Sequence, residues 1–311
     1  MANAALTQAI NLDSNVSVDA VVVSYRSAAT LRECVKSLLA IPGVAVTVVD
    51  NASPDDTLAT IEDLDAEMIR SPRNGGFSYG CNLGAARGDA PFVLFLNPDA
   101  RMAAGALDAL VEALTTDPEA GLAGPRLLEG GELAWSQRRF PRLRSTFAQA
   151  LFLHRLLPRA SWTDELIRDP AAYQRPGTPE WISGACMLVR REAFEAIGGF
   201  DERFFLYCED ADLCLRLRNA GYEVRFEPAA KVDHVGGGSS GTGETRAIGA
   251  RSRVRYAYKH DGKVVGRIGA LGVALYEATH AVSSLGRRAA RRGHIQALLA
   301  SLAAASWRTP E

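Results

Sequence analysis

Short apolar runs alternate with amphipathic stretches over the first 120 residues, and this alternation restricts the fold more than any other feature. The runs Val18–Ser24, Val44–Val49 and Pro91–Leu96 are rich in branched and aromatic side chains, which predicts buried strands. Helices are predicted from Ser27 to Leu39, after Ser53-Pro54 and from Phe77 to Ala86. This order is typical of the α/β class, so we expect a doubly wound, mostly parallel sheet flanked by helices.

Polar residues stand where these predicted strands end. Ser24 ends the first run, Asp50 follows the second directly, and Asn97-Pro98-Asp99 follows the third. Ligands of such sheets bind outside the carboxyl ends of the strands, so a binding site is expected there. A carboxylate held by the turn at Asp99 suits a divalent cation, although a helix cap explains it equally well. The sequence has no GxxxxGK(S/T) loop and no dinucleotide glycine motif, which argues against an ATP-hydrolysing or NAD-dependent enzyme.

The second half of the chain is harder to assign. Its first part, Glu132–Glu180, is rich in Arg, Trp and Pro, and indicates only a strand, a helix around Thr146–Leu157 and a long loop. The patterns beyond it predict a strand over Ile182–Arg190, a helix over Asp210–Ala220, and a strand pair over Glu223–Phe226 and Ala230–Val235.

Three carboxylates cluster at the start of that helix: Glu209, Asp210 and Asp212. Crowded, partly buried carboxylates have raised pKa values, which suits one of them to act as a general base near neutral pH. Acidic residues are also common in first helical turns because of the helix dipole, and both interpretations stay open. His234 alone is more typical of a structural or surface histidine, but paired with Asp99 it becomes a candidate metal ligand.

The charge is unevenly distributed along the chain. Overall, 35 Lys and Arg stand against 36 Asp and Glu, a net charge of −1, which argues against a dedicated nucleic-acid-binding protein. From Gly236 to the end, however, 12 basic residues stand against 4 acidic ones. Apolar residues recur there at helical spacing: Val264, Ile268, Leu271, Leu275, Val282 and Leu285. The tail is therefore predicted to be helical and basic, with either a solvated face or a surface for an anionic partner.

Cysteine usage and the N-terminus predict a cytoplasmic protein. The five cysteines are scattered and form no CxxC pair, which is typical of a reducing compartment. The first residues contain no Lys or Arg and no apolar core, so they do not resemble a signal peptide. No stretch reaches the roughly 18 apolar residues that a membrane span needs. Residues 1–17 are expected to be flexible.

Taken in order, several stretches resemble the glycosyltransferase family 2 enzymes of GT-A fold, and most closely the bacterial rhamnosyltransferase-like branch. They are VVVSYRSAATLRECVKSLL, VTVVDNASPDDT, RNGGFSYGCNLGA, VLFLNPDA, WISGACMLVRREAFEAIGGFDERFFLYCEDADLCLRLRNAGYEV and VDHVGGGSS. The resemblance covers Val18 to Ser240. It implies a GT-A domain over residues 18–240, with a nucleotide-binding half (18–125) and an acceptor or catalytic half (126–240). Residues 241–311 carry little of the resemblance and are expected to form a separate helical segment.

The resemblance implies a nucleotide-sugar donor bound by the first half. Asp50 would contact the base, where a carboxylate can accept the N3–H of uracil or thymine. Asp99 and His234 would hold Mg²⁺ or Mn²⁺ at the diphosphate. The familiar Asp-x-Asp motif has Asn97 in place of its first acid here, which leaves metal dependence open and leaves Asn97 to orient a ribose or a water. Further nucleotide contacts are implied for Ser24, Tyr25, Asn51, Arg73, Asn74 and Gly75.

The same resemblance implies catalytic roles in the second half. Asp210 would be the base that deprotonates the acceptor hydroxyl, with Glu209 as the fallback. Trp181, Gly184 and Asp201 would shape the donor-sugar and acceptor pocket. The predicted reaction is an inverting transfer of L-rhamnose from dTDP-rhamnose, or of another sugar from a UDP-sugar, to a hydroxyl of a bacterial cell-envelope glycan or polyprenyl-linked acceptor.

Alternatives remain for the tail and for the overall function. The basic tail is expected either to dock on an anionic membrane surface from the cytoplasmic side or to form a homodimer. Asn97 permits a catalytically silent nucleotide-sugar binding module. A nucleotidyltransferase is disfavoured, since the stretch SYRSAAT after the first strand lacks a glycine-rich, lysine-bearing loop.

Overall fold

The first half of the chain forms a parallel sheet, as its sequence pattern predicts. The computed structural model describes residues 17–235, 243–284 and 286–305; residues 1–16, the cluster Gly236–Gly238 and Leu285 lie outside them. The strands are β1 (Val18–Ser24), β2 (Val44–Asp50), β3 (Glu67–Arg70), β4 (Phe92–Leu96), β5 (Ala100–Met102), β6 (Ala120–Glu129), β7 (Glu132–Leu133), β8 (Gln137–Arg138), β9 (Trp181–Ile182), β10 (Cys186–Arg190) and β11 (Glu223–His234).

Within the described residues the main sheet runs in the order β3-β2-β1-β4-β10-β6-β11-β5, with β7 beside β6, while β8 and β9 form a separate pair. Strands β3, β2, β1 and β4 are parallel to one another. Strand β10 is antiparallel to both β4 and β6. The resulting sheet is mixed and brings the second half of the chain against the end of β4.

Helices cover both faces of this sheet. They are α1 (Leu31–Leu39), α2 (Phe77–Ala85), α3 (Ala106–Thr115), α4 (Leu143–Ala150), α5 (Leu153–Leu156), α6 (Arg191–Ala196), α7 (Glu209–Asn219), α8 (Gly243–Ser283) and α9 (Arg288–Ala304). Alternate residues of one strand face opposite layers: Val22 joins the core beneath α1 and α3, and Val21 joins the core beneath α2 and α7. The doubly wound arrangement expected from the sequence is confirmed.

Two local predictions differ from the structure. The helix expected after Ser53-Pro54 is only a short 3₁₀ turn at Leu58–Ile61. The Oγ of Ser53 accepts a hydrogen bond from the backbone N–H of Arg26 at 3.0 Å, so it ties two strand ends together rather than capping a helix. The predicted strand pair after α7 is the single strand β11, whose register shifts between Glu227 and Lys231, around a proline that cannot donate to the ladder.

The C-terminal residues form a layer of helices beside the sheet. Helix α8 is interrupted at Gly262, which has φ +85° and ψ 175°, and its two arms fold back against each other. A small core of Val254, Tyr258, Ala270, Val273 and Ala297 joins these arms to α9. No helix in the described residues has both the length and the apolar content needed to cross a membrane.

Candidate active site

The ends of β1 and β2 form one side of the site. Ser24 and Asp50 are register partners in the parallel sheet, and both are buried. The Oγ of Ser24 has no hydrogen-bond partner within the described residues. A buried hydroxyl without a partner is uncommon, and it marks a place where a ligand can bind. Tyr25 is 42% exposed beyond this edge, with the guanidinium of Arg26 5.3 Å from its ring.

A glycine loop closes over this edge and is held by Asn51. The side chain of Asn51 donates to the carbonyl of Gly76 at 2.8 Å and accepts from the N–H of Gly75 at 3.1 Å. Asn51, predicted to touch the nucleotide, thus positions the loop. Asn74 caps the loop by accepting from the N–H of Gly76 at 3.1 Å, and the Arg73 guanidinium lies 5.0 Å from the Tyr79 ring.

Asp99 and His234 meet at the end of β4, as predicted. The Oδ1 of Asp99 lies 3.2 Å from Nε2 of His234 because β11 pairs with β5 directly after Asp99. Neighbouring donors in an octahedral shell are about 3 Å apart, so one small divalent cation could contact both. The Nδ2 of Asn97 lies 3.4 Å from the same imidazole nitrogen. Burial opposes protonation of His234, but its hydrogen bond to Asp99 and the nearby carboxylates raise its pKa.

The protein alone supplies few metal ligands here. In the described part of the chain, no three His, Cys, Asp or Glu side chains cluster closely enough to form a metal site. Asp99 and His234 therefore fit a cation whose remaining positions are filled by phosphate oxygens and water, rather than a permanently held metal.

Asp210 lies on the opposite side of the site. The two residues before α7, Tyr207 and Cys208, have φ values of +68° and +65°, which is uncommon for residues with a side chain. Asp210 accepts hydrogen bonds from the N–H of Gly184 at 3.0 Å and of Ala211 at 2.8 Å. Burial nevertheless raises its pKa, against the effects of these N–H groups and of the Arg138 charge. Its carboxylate is thus fixed in place and suited to accept a proton.

Glu209 and Asp210 occupy different environments. Asp210 lines a cavity between β8, β9, α4, α7 and α8, and Glu209 does not. Glu209 is buried, and its Oε2 has no hydrogen-bond partner among them. Burial, together with the charge of Asp210, raises the pKa of Glu209 well above its usual range. Of the two candidate bases, only Asp210 lines this cavity.

Backbone contacts join the Asp99 and Asp210 sides. The N–H of Asn97 donates to the carbonyl of Ala185 at 2.9 Å, and the N–H of Gly184 donates to Asp210. Asn97, two residues before Asp99, and Asp210 therefore contact the same short loop between β9 and β10. The Asp210 carboxylate and the pair of Asp99 and His234 thus lie on neighbouring sides of this loop.

The cavity beside Asp210 has a volume of about 460 Å³. Trp181 forms part of its wall and is nearly buried, with its Nε1 donating to the carbonyl of Arg139 at 2.9 Å. The Arg138 guanidinium lies 5.1 Å from the Trp181 ring. The far wall comes from α4 and both arms of α8, including Thr146, Arg246, Arg253, Val273 and Tyr276.

Residues 19–198 match the family model for glycosyl transferase family 2, and residues 170–236 match a second model, the N-terminal domain of galactosyltransferase. The chain belongs to glycosyl transferase family 2. It is 33% identical over 233 residues to the N-acetylglucosaminyl-diphospho-decaprenol L-rhamnosyltransferase of Mycobacterium tuberculosis, an alignment that covers 70% of this chain and 75% of the relative. The predicted resemblance to this family and its rhamnosyltransferase-like branch is confirmed.

Solved structures of similar fold include other glycosyltransferases. The mannosyltransferase PcManGT from Pyrobaculum calidifontis, solved with GDP-Man and Mn²⁺, superposes with a TM-score of 0.58 at 16% identity, covering 95% of this chain and 89% of that one. GalNAc-T7, solved with UDP, GalNAc and Mn²⁺, gives a TM-score of 0.55 at 16% identity, covering 78% of this chain and 50% of that one. These likenesses confirm the GT-A fold.

In this family 2 glycosyltransferase, Asp201 does not line the cavity. Its carboxylate is paired with Arg203 at 2.7 Å and with Lys259 of α8 at 2.7 Å. Burial alone would raise the pKa of Asp201, but these hydrogen bonds lower it. Lys259 also contacts Asp212, which is fully buried and pairs with Arg216 and His260. Asp212 thus attaches α8 to the helix that carries Asp210, and Asp201 attaches α8 to the turn before that helix.

Three arginines of the cavity wall were missed by sequence reasoning. Arg253 forms a two-pronged ion pair with Glu165. Arg138 and Arg246 make no ion pair among the described residues. These residues come from distant parts of the chain, and no local motif marks them as neighbours of Asp210.

Proposed function

We propose that this glycosyltransferase is a metal-dependent, inverting rhamnosyltransferase that moves L-rhamnose from dTDP-rhamnose to a hydroxyl of a polyprenyl-linked glycan of the bacterial cell envelope. The observation that carries the proposal is the fixed Asp210 carboxylate in the cavity wall, one short loop away from Asp99 and His234. The M. tuberculosis relative, named for the transfer of L-rhamnose to a diphospho-decaprenol acceptor, supports the choice of sugar and lipid.

The donor nucleotide is proposed to lie along the ends of β1 and β2. Asp50 would accept the N3–H of thymine or uracil, and the unpaired Ser24 hydroxyl beside it would complete the base contacts. Arg73 and the loop held by Asn51 would close over the nucleotide. Since thymine and uracil present the same N3–H, a UDP-sugar remains the alternative donor.

Asp99 and His234 would hold the divalent cation, Mg²⁺ or Mn²⁺. Their donor atoms are separated as octahedral neighbours are, and Asn97 adds a neutral amide instead of a second carboxylate. When bound, the cation supplies positive charge beside the diphosphate as the leaving group becomes more negative. An imidazole ligand favours Mn²⁺ over Mg²⁺.

Asp210 would act as the general base. The acceptor hydroxyl attacks the anomeric carbon, a new C–O bond forms, the bond from that carbon to the diphosphate breaks, and the hydroxyl proton passes to Asp210. One displacement at the anomeric carbon inverts its configuration. Burial raises the pKa of Asp210, which makes its carboxylate a stronger base.

The cavity would receive the acceptor. Its wall carries Arg138 and Arg246, which make no ion pair among the described residues, so an anionic acceptor group would be favoured there. A diphosphate that links the acceptor sugar to its lipid is such a group. Trp181 would present an apolar surface to the acceptor sugar.

The test combines donor binding with product formation. Thermal unfolding is measured with dTDP-rhamnose, UDP-glucose and GDP-mannose, each with Mn²⁺, Mg²⁺ or EDTA, since a ligand of the native state raises the midpoint. We expect the largest metal-dependent shift with dTDP-rhamnose, together with rhamnosyl transfer to a diphosphate-linked acceptor. Binding without turnover would instead identify a silent nucleotide-sugar module. A shift that persists in EDTA would remove the metal from the proposal.

A further inference from the structure

Large apolar side chains are exposed mainly in two segments of this protein. The described residues include sixteen such side chains. Twelve of them fall within residues 143–162 and 263–304, and the other four lie outside these two segments. The twelve are Leu151, Leu156, Leu157, Trp162, Val264, Ile268, Leu271, Leu275, Val282, Ile295, Leu299 and Leu302. Scattered single residues need no explanation, but such a concentration marks an interaction surface.

The second arm of α8 shows that this exposure follows a pattern. Its inward face includes several small residues beside Val273 and Glu277, and a side chain added at Gly266 would overlap the Tyr258 ring of the first arm. A Cβ added at Gly272 would likewise lie only 3.0 Å from Cγ2 of Thr146 in α4. The large residues point outward, with Val264 70% and Leu271 59% exposed. The arm packs closely through its inward face, and among the described residues its large apolar side chains stay exposed.

The exposed apolar residues of α4–α5 and α8 adjoin each other. The Oγ1 of Thr279 donates to the carbonyl of Ala150 at 2.8 Å, directly before the exposed Leu151. Leu275 and Val282 lie one turn before and after Thr279, so all three share one side of the helix. We call the twelve exposed apolar residues, with the basic residues among them, the helical-layer face.

All exposed charges of these two segments are positive. Nine exposed basic residues lie among the apolar ones: Arg144, Arg155, Arg159, Lys263, Arg267, Arg287, Arg288, Arg291 and Arg292. The only acidic residue of either segment is Glu277. It is buried, and its Oε2 lies 2.5 Å from Nδ1 of His294. The helical-layer face therefore combines apolar residues with positive charge alone.

We propose that the helical-layer face docks this protein on an anionic lipid bilayer. Apolar side chains among arginines and lysines are the composition of helices that lie in a membrane interface. Anionic headgroups attract such basic clusters. In a two-fold dimer both copies would contribute this same positively charged face, and neither segment exposes a carboxylate to pair with it, which is unfavourable.

Docking would also bring a lipid-linked acceptor to the cavity, a point that rests on the proposed function. The α8 arm that exposes Leu271 and Leu275 lines the cavity with Val273 and Tyr276. One helix thus contacts the bilayer on one side and the acceptor on the other. The lipid chain could stay in the membrane while the sugar reaches Asp210.

The experiment is co-sedimentation of the full chain with vesicles of phosphatidylcholine alone or of phosphatidylcholine mixed with phosphatidylglycerol. We expect binding to the anionic vesicles that weakens with added salt. The double variants Leu271→Gln/Leu275→Gln and Arg291→Gln/Arg292→Gln should each weaken this binding by about tenfold or more. The matched controls Met68→Gln and Arg175→Gln, exposed residues outside the face, should bind like the parent chain.

Two further measurements separate this inference from the proposed function. Sugar transfer to a water-soluble acceptor should be the same for the parent chain and the Leu271→Gln/Leu275→Gln variant, because neither leucine lines the cavity. Sedimentation equilibrium should show a monomer. Equal binding to both vesicle types, no binding to either, or a dimer that this variant dissociates would overturn the membrane proposal, whatever the transfer assay shows.

Discussion

The proposed donor side and the proposed acceptor side of the site are held together in different ways. On the donor side, Ser24 and Asp50 stand on neighbouring strands, and Asn51 fastens the covering loop through two backbone hydrogen bonds. The acceptor side is assembled from β8, β9, α4, α7 and α8, and buried ion pairs around Asp212 join α8 to α7. The donor side thus depends on backbone geometry, whereas the acceptor side depends on long-range charge pairing.

The sharpest test of this division concerns Asp210, which belongs to the chemistry of the acceptor side. Asp210→Asn should reduce kcat by about 10²–10⁴-fold, the usual contribution of a general base, because the amide cannot accept the proton. The donor-induced shift in unfolding temperature should persist. The parent enzyme should lose kcat as pH falls, with a midpoint above the ordinary aspartate range, since burial raises the pKa of Asp210.

Glu209→Gln is the matched control for this substitution. Glu209 is buried beside Asp210 but does not line the cavity, and its raised pKa favours the neutral form that glutamine imitates. Its kcat should stay close to that of the parent. A loss as large as that of Asp210→Asn would assign the base to the pair instead of to Asp210.

Asp212 tests the charge pairing directly. Its side chain is fully buried and contacts Arg216 at 2.8 Å, His260 at 2.7 Å and Lys259. Asp212→Asn should lower the free energy of unfolding by about 3–5 kcal/mol, because it leaves buried cations without their partner. The acceptor KM should rise more than the donor KM. Chemical denaturation and steady-state kinetics measure the two effects.

The pH dependence of stability gives this prediction a second readout. Burial would raise the pKa of Asp212, but its hydrogen bonds and the neighbouring cations lower it. A depressed folded-state pKa means that the stabilisation is complete above the unfolded pKa and is lost as pH falls through the folded one. The free energy of unfolding of Asp212→Asn should therefore not show this loss at acid pH. Asp63→Asn, which removes an exposed pair with Arg32, should change stability little.

Gly76 tests the backbone geometry of the donor side. It has φ +88°, and a Cβ there would overlap the backbone of Phe205, whose carbonyl accepts from the N–H of Phe77 at 2.7 Å. Gly76→Ala should destabilise the fold by about 2–3 kcal/mol, from strain plus the clash, and weaken donor binding. Gly105→Ala, at φ +74° with open space, should cost only the strain, about 1–2 kcal/mol. Equal losses of stability in the two variants would show that the backbone of Phe205 moves to make room for the added Cβ.

The two sides also differ in how far the sequence predicts them. Ser24 and Asp50 lie at the predicted strand ends, and Asp99 lies just after β4. The apolar run of a buried strand is visible in the sequence, so the end of the strand can be located to within a few residues. Strand β3 was missed, since its residues Glu67–Arg70 are largely exposed and show no apolar run. Lys259 could not be placed beside Asp201 from sequence, because 58 residues separate them and only the packing of α8 brings them together.

The sequence also does not show whether the C-terminal apolar stripe faces the protein interior or the solvent. Its helical spacing shows that Val264, Ile268 and Leu271 share a face, but not whether that face is buried. The buried face consists of residues such as Gly266 and Gly269, which contribute almost nothing to an apolar pattern. Only the packing against Tyr258 and Ala257 shows which side points outward.

The smallest expected effect concerns how the acceptor side recognises charge. Arg246 lies in the cavity wall, where its charge favours the ionised form of Glu277, although burial raises the pKa of that carboxyl to about 7. Arg246→Gln should raise the KM for a diphosphate-linked acceptor by about tenfold, the loss of one charge-assisted hydrogen bond. The KM for an acceptor glycoside without phosphate should not change. Arg251→Gln, an exposed residue of α8 outside the cavity, serves as control. If both acceptors lose affinity equally, Arg246 maintains the shape of the wall and does not bind the phosphate.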